Sequence, residues 1–178
     1  MNGARSWRAP LAAVTLAGVF AGTLATAVQM LLWWLEGTPV LATLLRDAHL
    51  TAAIVMGKAV LAAAPEWRWG VLLAATLIHF ALSIGCAALV RPFARRLGTI
   101  SALAGGALYG LALYAVNLHG FTVLFPWFAV ARGGTTLLTH LVFGLALAVA
   151  CRALPDGRPP SGGAARPGKA PTAPPQAY

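Results

Sequence analysis

The sequence predicts an all-α integral membrane protein with four transmembrane helices. Both termini are expected in the cytoplasm, and an external interfacial helix is expected between helices 1 and 2. Three observations carry this reading. Four long apolar runs contain no charged residue, the Arg and Lys residues are clustered in the segments between them, and most tryptophans gather near one predicted surface.

The composition excludes water as the main solvent. Hydrophobic residues make up 59% of the 178 residues and charged residues only 10%, against roughly 25% charged in soluble proteins. A net charge of +9 would suggest a nucleic-acid binder if it formed a continuous patch. It is split instead into short clusters flanking uncharged runs, the arrangement of orientation signals. The expected partner is therefore the lipid bilayer and not nucleic acid. Arg dominates the basic residues and Ala, Gly and Pro are abundant, a bias that suggests a GC-rich bacterial genome and hence a bacterial inner (cytoplasmic) membrane. Cys86 and Cys151 lack CxxC spacing and read as small apolar residues.

Residues 1–10 form a cytoplasmic N-terminal segment carrying Arg5 and Arg8. The small residues Ala25-Thr26-Ala27 resemble a signal cleavage site, but a signal core stops after about 7 to 15 residues. Here the uncharged run continues from Leu11 to Leu35, as in a retained helix. A helix needs about 20 apolar residues to cross a hydrocarbon core of about 30 Å. Four spans qualify, at about 11–35, 71–90, 97–118 and 133–151, within a bundle covering 11–153.

Between the first two spans, residues 40–64 are apolar but interrupted by Arg46, Asp47, His49 and Lys58. A fifth span would bury Lys58 and Arg46 at about 2.5 to 3.5 kcal/mol each, whereas an amphipathic helix in the interface avoids that cost. The stretch 120–131, GFTVLFPWFAVA, is too short to span and is broken by Pro126, so it reads as a hairpin connection in the outer interface. Residues 154–178 hold seven prolines and form an expected disordered cytoplasmic tail, because they cannot bury an apolar face.

Four spans with a cytoplasmic start put Arg5, Arg8, Arg91, Arg95, Arg96, Arg152, Arg158, Arg166 and Lys169 inside. Arg46, Lys58, Arg68 and Arg132 fall outside. That asymmetry obeys the positive-inside rule. Trp33, Trp34, Trp67, Trp69 and Trp127 fall near the outer surface, where an aromatic belt belongs, and Arg132 reads as an interfacial anchor beside them.

Lipid tails are as apolar as Leu, so membrane helices associate through small residues and interhelical hydrogen bonds. Gly18 and Gly22 form a GxxxG pair on the first span, Gly106 and Gly110 another on the third, and Gly144 lies on the small stripe of the fourth. These stripes specify a compact bundle, or one that also dimerises through a GxxxG face. Threading the helices places Gln29, His79, Tyr114, Asn117 and His140 at a common depth in the outer half. Ionisable groups at such depth mark candidate sites, and His79 and His140 are the candidate ligands of a haem or metal, or titrating groups of a proton path. The alternative is that the histidines only bond neighbouring polar side chains. His49 and His119 read as solvated residues of the outer loops.

The second half resembles small four-helix bacterial inner-membrane proteins of the YagU-like type, and a related group commonly labelled sodium:proline symporters. The resemblance lies in LIHFALSIG at 77–85, in LYGLALYAVNLHGFTVLFPWFAVARG at 108–133 and in LTHLVFGLALA at 138–148. FPWFAVAR is its most specific part. It covers less than half of the chain, implies a small inner-membrane protein and supplies no catalytic residues. True symporters carry internal repeats around a midplane ion site, and this sequence has four spans, no evident inverted repeat and no carboxylate within a span.

A phosphate loop, a dinucleotide fingerprint, HExxH and GxSxG are all absent from the sequence. The expected function is thus a non-enzymatic structural or accessory membrane component, with itself or another membrane subunit as partner. The two alternatives are a small oligomeric transporter or proton-handling protein, and a haem or metal carrier, both using His79 and His140.

Overall fold

The computed structural model describes the backbone of residues 3–62 and 64–155 and the side chains from residue 11 onward. The tail expected to be disordered, beyond its first two residues, lies outside the described residues, as do the side chains of Arg5 and Arg8. Five α-helices follow one another: α1 (Gly3–Leu35), α2 (Val40–Met56), α3 (Trp69–Ala94), α4 (Thr99–Ala115) and α5 (Gly134–Ala153), with no strand among the described residues. Four helical stretches are long and apolar enough to cross a membrane, at Leu11–Leu35, Trp69–Ala94, Thr99–Val123 and Gly134–Ala153. Their Ala- and Leu-rich composition favours helix at nearly every position.

The helix limits lie within four residues of the expected spans except at two. The first helix begins at Gly3, well before the apolar run, because Ala4, Arg5 and Arg8 are good helix formers and hydropathy limits the span rather than the helix. The third span runs on past residue 118. Its backbone widens into a π-turn at Val116–Gly120 and tightens into a 3-10 turn at Phe121–Val123, so helical hydrogen bonding continues through Gly120. The end of α1 is set locally. Gly37 adopts φ +71°, its N–H bonds Trp34 O at 3.1 Å, and Thr38 N–H bonds Trp33 O at 2.8 Å. This is the Schellman pattern, which needs a residue without a Cβ at the left-handed position.

The helices pair antiparallel through small residues. On α1, a Cβ at Gly18 would lie 2.6 Å from Ile84 Cα, and one at Gly22 would lie 2.8 Å from Ser83 Oγ, so α1 closes onto α3. On α4, a Cβ at Gly106 would lie 2.6 Å from Gly144 O, and one at Gly110 would run into the carbonyl of His140, so α4 closes onto α5. Helix α5 lies along α1 and α4 and also meets α3. The fully enclosed core is correspondingly small-grained: Ala17, Ala21, Ala87, Leu147 and Cys151 are each 0% exposed. Both GxxxG pairs, expected to close the bundle or to dimerise it through one face, are occupied within the chain.

Helix α2 packs on α3. It buries Leu45, His49, Leu50, Ala52 and Ala53 on one face, with Ala52 joining Val60, Val71 and Ala75 in a second apolar cluster. Trp127, in the 3-10 segment Pro126–Ala131, donates its Nε1–H to Leu50 O at 3.0 Å, and Lys58 Nζ stands 5.9 Å from the centre of the Trp127 ring. A ring bonded at one end and faced by a cation at another holds α2 against the α4–α5 connection.

Candidate functional site

The π-turn after α4 builds the most polar centre in the spans. It carries Asn117 and His119, directly beyond Tyr114 on α4. His140 on α5 donates Nδ1–H to Thr136 O at 2.8 Å, which leaves Nε2 as an acceptor for the Asn117 amide at 3.4 Å. Tyr114 lies between two imidazoles, edge-on to His140 at 5.8 Å and to His119 at 5.7 Å between ring centroids. His119 is exposed and His140 half-buried, so the three rings form a row from the surface inward. A π-turn frees or misaligns helical carbonyls, and Arg132 meets that need. Its Nε donates to Leu118 O at 2.6 Å and its Nη2 to Thr122 Oγ1 at 2.8 Å. Charge-assisted bonds of this kind are strong, so Arg132 is a clamp on the turn as well as a surface cation.

His79 belongs to another seam. Its Nε2 lies 3.5 Å from Thr26 Oγ1, whose own hydrogen goes to Gly22 O at 3.0 Å, and Ser83 Oγ donates to His79 O at 2.8 Å. The Phe80 ring stands edge-on at 5.1 Å. Gln29 is half-buried about one turn beyond Thr26 on α1. Of the five polar residues read at one depth, the structure therefore joins His140, Asn117 and Tyr114, and gives His79 partners on α1 instead.

These contacts bear on the haem or metal reading. Both nitrogens of His140 are engaged by Thr136 and Asn117, and Nε2 of His79 faces Thr26. Among the described residues, no three His, Cys, Asp or Glu side chains gather as metal ligands, whereas protein-bound zinc takes three or four such ligands. Neither histidine is joined by two further ligands of that kind, and each has its polar partners on a different pair of helices.

His49 corrects the expectation of a solvated loop residue. It is 2% exposed on the inner face of α2, with Nδ1–H donated to Leu45 O at 2.8 Å and Nε2 enclosed without a hydrogen-bond partner. The helical spacing of Leu45, His49, Ala52 and Ala53 was the signal for this burial. Beside it, burial raises the Asp47 carboxyl above its ordinary value, while the hydrogen bond and charge of Arg46, whose Nη2 lies 2.8 Å from Oδ1, act in the opposite direction.

The tryptophans divide. Trp34, Trp67 and Trp69 are exposed, the last two in edge contact at 5.2 Å, whereas Trp33, read as interfacial with them, is enclosed at 6% exposure and Trp127 is half-buried against α2. Adjacent residues on a helix point about 100° apart, so Trp33 and Trp34 cannot share one surroundings.

Three arginines at the opposite end do more than set orientation. Arg91, only 5% exposed, donates to Cys151 O at 3.2 Å and Leu154 O at 2.8 Å, and Arg95 donates to Leu154 O at 3.1 Å. Arg152 reaches back from α5 to Ala94 O at 2.9 Å, to Leu97 O and to Thr99 Oγ1 at 3.2 Å. Each guanidinium satisfies carbonyls at the end of a neighbouring helix, which lack partners of their own. No protein-family model, curated protein or solved structure matches the chain.

Proposed function

We propose that this chain is a multi-pass protein of a bacterial inner membrane, with both termini cytoplasmic, that works as a non-enzymatic structural or accessory component. In this reading α2 and the aromatic connection before α5 rest in the outer interface. Its kinship would lie with the small YagU-like inner-membrane proteins, whose most specific resembling segment, residues 125–132, ends at the Arg132 clamp. The orientation is supported by the excess of Arg and Lys on the side assigned to the cytoplasm.

The observation that carries the functional reading is the separate bonding of the two histidines within the spans. His140 is tied to Asn117 across α4 and α5, and His79 lies against Thr26 across α1 and α3. Polar groups spent on holding neighbouring helices together support a scaffold role. With both GxxxG seams closed inside the chain, a second copy or another membrane subunit would meet the outward faces of the helices.

One observation favours a second reading. The row His119, Tyr114 and His140 leads from an exposed imidazole to a half-buried one, and imidazole changes charge near neutral pH. Proton handling would then use His140 with His119 rather than with His79.

The test is to purify the full chain in mild detergent, record its absorption spectrum and metal content, and reconstitute it in liposomes for proton flux. The variants His79→Ala, His140→Ala and His140→Gln are compared with it. A scaffold gives no haem band, no stoichiometric metal, no flux, and lower unfolding midpoints for the alanine variants. A cofactor or flux that disappears with His140→Ala would overturn it. Reporter fusions at Gly98 and after Cys151 are expected to read cytoplasmic, and fusions at Glu36 and Gly120 external; a cytoplasmic signal at Gly120 would refute the orientation.

A further inference from the structure

Helix α2 hangs between two glycines. Gly37 before it and Gly57 after it, at φ +71° and +79°, are the only residues with positive φ among the described ones, and a Cβ at either would meet nothing within 4 Å. Such residues at the ends of an element are where a hinge turns. The attachment between them is light. Its apolar contact is made of small residues, Ala48 and Ala52 against Val71, Ala74 and Ala75 of α3. The bond of Trp127 Nε1–H to Leu50 O and the Lys58 ammonium over the Trp127 ring tie it to the aromatic connection.

The docked face encloses a group that suits it poorly. His49 is 2% exposed and donates Nδ1–H to Leu45 O at 2.8 Å, while its Nε2 has no hydrogen-bond partner among the described residues. A neutral ring leaves one acceptor unsatisfied. A protonated ring would bring a charge and a second N–H without an acceptor, the costlier burial. The charged and titratable groups on the elements around α2 are engaged elsewhere. Arg46 and Asp47 pair with each other, Lys58 stands over Trp127, and Glu36 at the end of α1 accepts from Thr135. Arg132 bonds Leu118 O and Thr122, and His79 on α3 lies against Thr26. Glu66, Arg68 and His119 are exposed.

We propose that α2 is a pH-sensitive strap, docked on α3 and Trp127 while His49 is neutral and released when His49 takes up a proton. On release the imidazole meets water, where such a ring binds a proton as pH falls through about 6.5. One proton taken up on release raises the released-to-docked ratio by up to tenfold per pH unit below that value. Docking is therefore favoured in neutral and alkaline media and lost toward acid. Asp47 acts with the opposite sign: burial raises its carboxyl above the ordinary value, so losing its proton as pH rises favours release. The proposal rests on the reading of α2 as external and interfacial, where protons of the outer medium reach it.

The test measures the distance between α2 and the aromatic connection. The full chain carrying Val55→Cys and Val130→Cys, both exposed positions, is labelled on spheroplasts with a membrane-impermeant nitroxide, the chain without these cysteines giving the background. After reconstitution, label-to-label distances are read by pulsed EPR between about pH 7.5 and 5.5. A short distance at the upper end and a growing longer population toward the lower are expected, their ratio shifting by up to tenfold per unit below about 6.5. His49→Gln and His49→Leu cannot take up the proton and should hold the short distance throughout, while Asp47→Asn should keep the release in acid. A distance independent of pH in the parent overturns the strap, as does the same acid release in both His49 variants. If His49→Gln does not fold, His49→Leu decides, because an apolar side chain suits an enclosed place. Release on raising the pH that vanishes with Asp47→Asn would put the switch on Asp47 and overturn the assignment to His49. Cysteines that both refuse the label on spheroplasts overturn the external reading of α2 together with this one, whereas labelling without pH dependence overturns this one alone.

Discussion

Adding one methyl group at Gly106 tests the packing between α4 and α5 against a control one residue away. A Cβ at Gly106 would lie 2.6 Å from Gly144 O, 2.8 Å from Ala148 Cβ and 3.2 Å from Gly144 C. Ordinary contact begins at about 3.4 Å, so the worst shortfall is about 0.8 Å, and the atom in the way is helix backbone that no side-chain rotation can move. The helices must separate by a comparable distance. A gap of about 0.5 to 1 Å forfeits a quarter to a half of each contact, and here it would spread along the seam to the approaches of Gly110 to Leu141 and of Gly144 to Gly110. Overpacking of this kind costs about 1 to 3 kcal/mol. At Gly105 the nearest atom to the added methyl is Leu97 Cδ1 at 4.0 Å, which is no obstacle. Both substitutions gain the same helix propensity of about 0.8 to 1 kcal/mol, so propensity cancels in the comparison. Gly106→Ala is therefore expected to be about 1 to 3 kcal/mol less stable than Gly105→Ala in reversible unfolding with rising SDS in mixed micelles. Equal midpoints, or a higher one for Gly106→Ala, would refute the close backbone approach.

Three further outcomes are expected. A double-mutant cycle between Asn117→Ala and His140→Ala should give a coupling of about 0.6 kcal/mol, up to about 1.7, while the cycle of Asn117→Ala with His79→Ala should give none; equal coupling in both would place the imidazoles in one network. Burial raises the Asp47 pKa, so the contribution of this group to the docking of α2 is present below its ordinary value of 3.8 and lost as pH rises through the raised folded value. Asp47→Asn should then protect α2 from proteolysis at neutral pH and make no difference in acid, and protection that is independent of pH would contradict this. Trp127→Phe keeps an aromatic ring, though a smaller one, and removes the bond to Leu50 O, which should weaken α2 docking by at least about 0.5 to 1.5 kcal/mol, read as faster proteolysis of α2 with the spans left intact.

How much of this was legible in the sequence varies with the range of the forces. The four apolar stretches were, because the bilayer sets a length of about 20 residues and that length is counted along the chain. Residues 97–118 lacked only the π-turn and the short 3-10 turn that carry the third stretch to Val123. A helix between α1 and α3 was legible too, from charges that interrupt an apolar pattern, and the glycine stripes announced that close seams would form. The polar residues of the candidate site were found individually, except His119 and His49, whose places depend on the π-turn and on the docking of α2.

Partner choice was not legible. In a bilayer every outward face is satisfied by lipid, so hydrophobicity does not say which face of a helix turns inward. Gly18 and Gly22 could have met a second copy, and only the fit of backbone against backbone at Ile84 and Ser83 assigns them to α3. His79 and His140 were read at one depth, and only the rotation of each helix shows the partner of each imidazole, Thr26 for one and Asn117 for the other. Arg91 and Arg152 read along the chain as orientation signals, and only the antiparallel arrangement brings each beside the carbonyls of the other's helix. The sequence by itself determined length, hydropathy and the supply of small residues, which are local quantities. Tertiary structure decided which small surfaces meet and hence which polar groups become partners, because steric complementarity between helices exists only once both are in place.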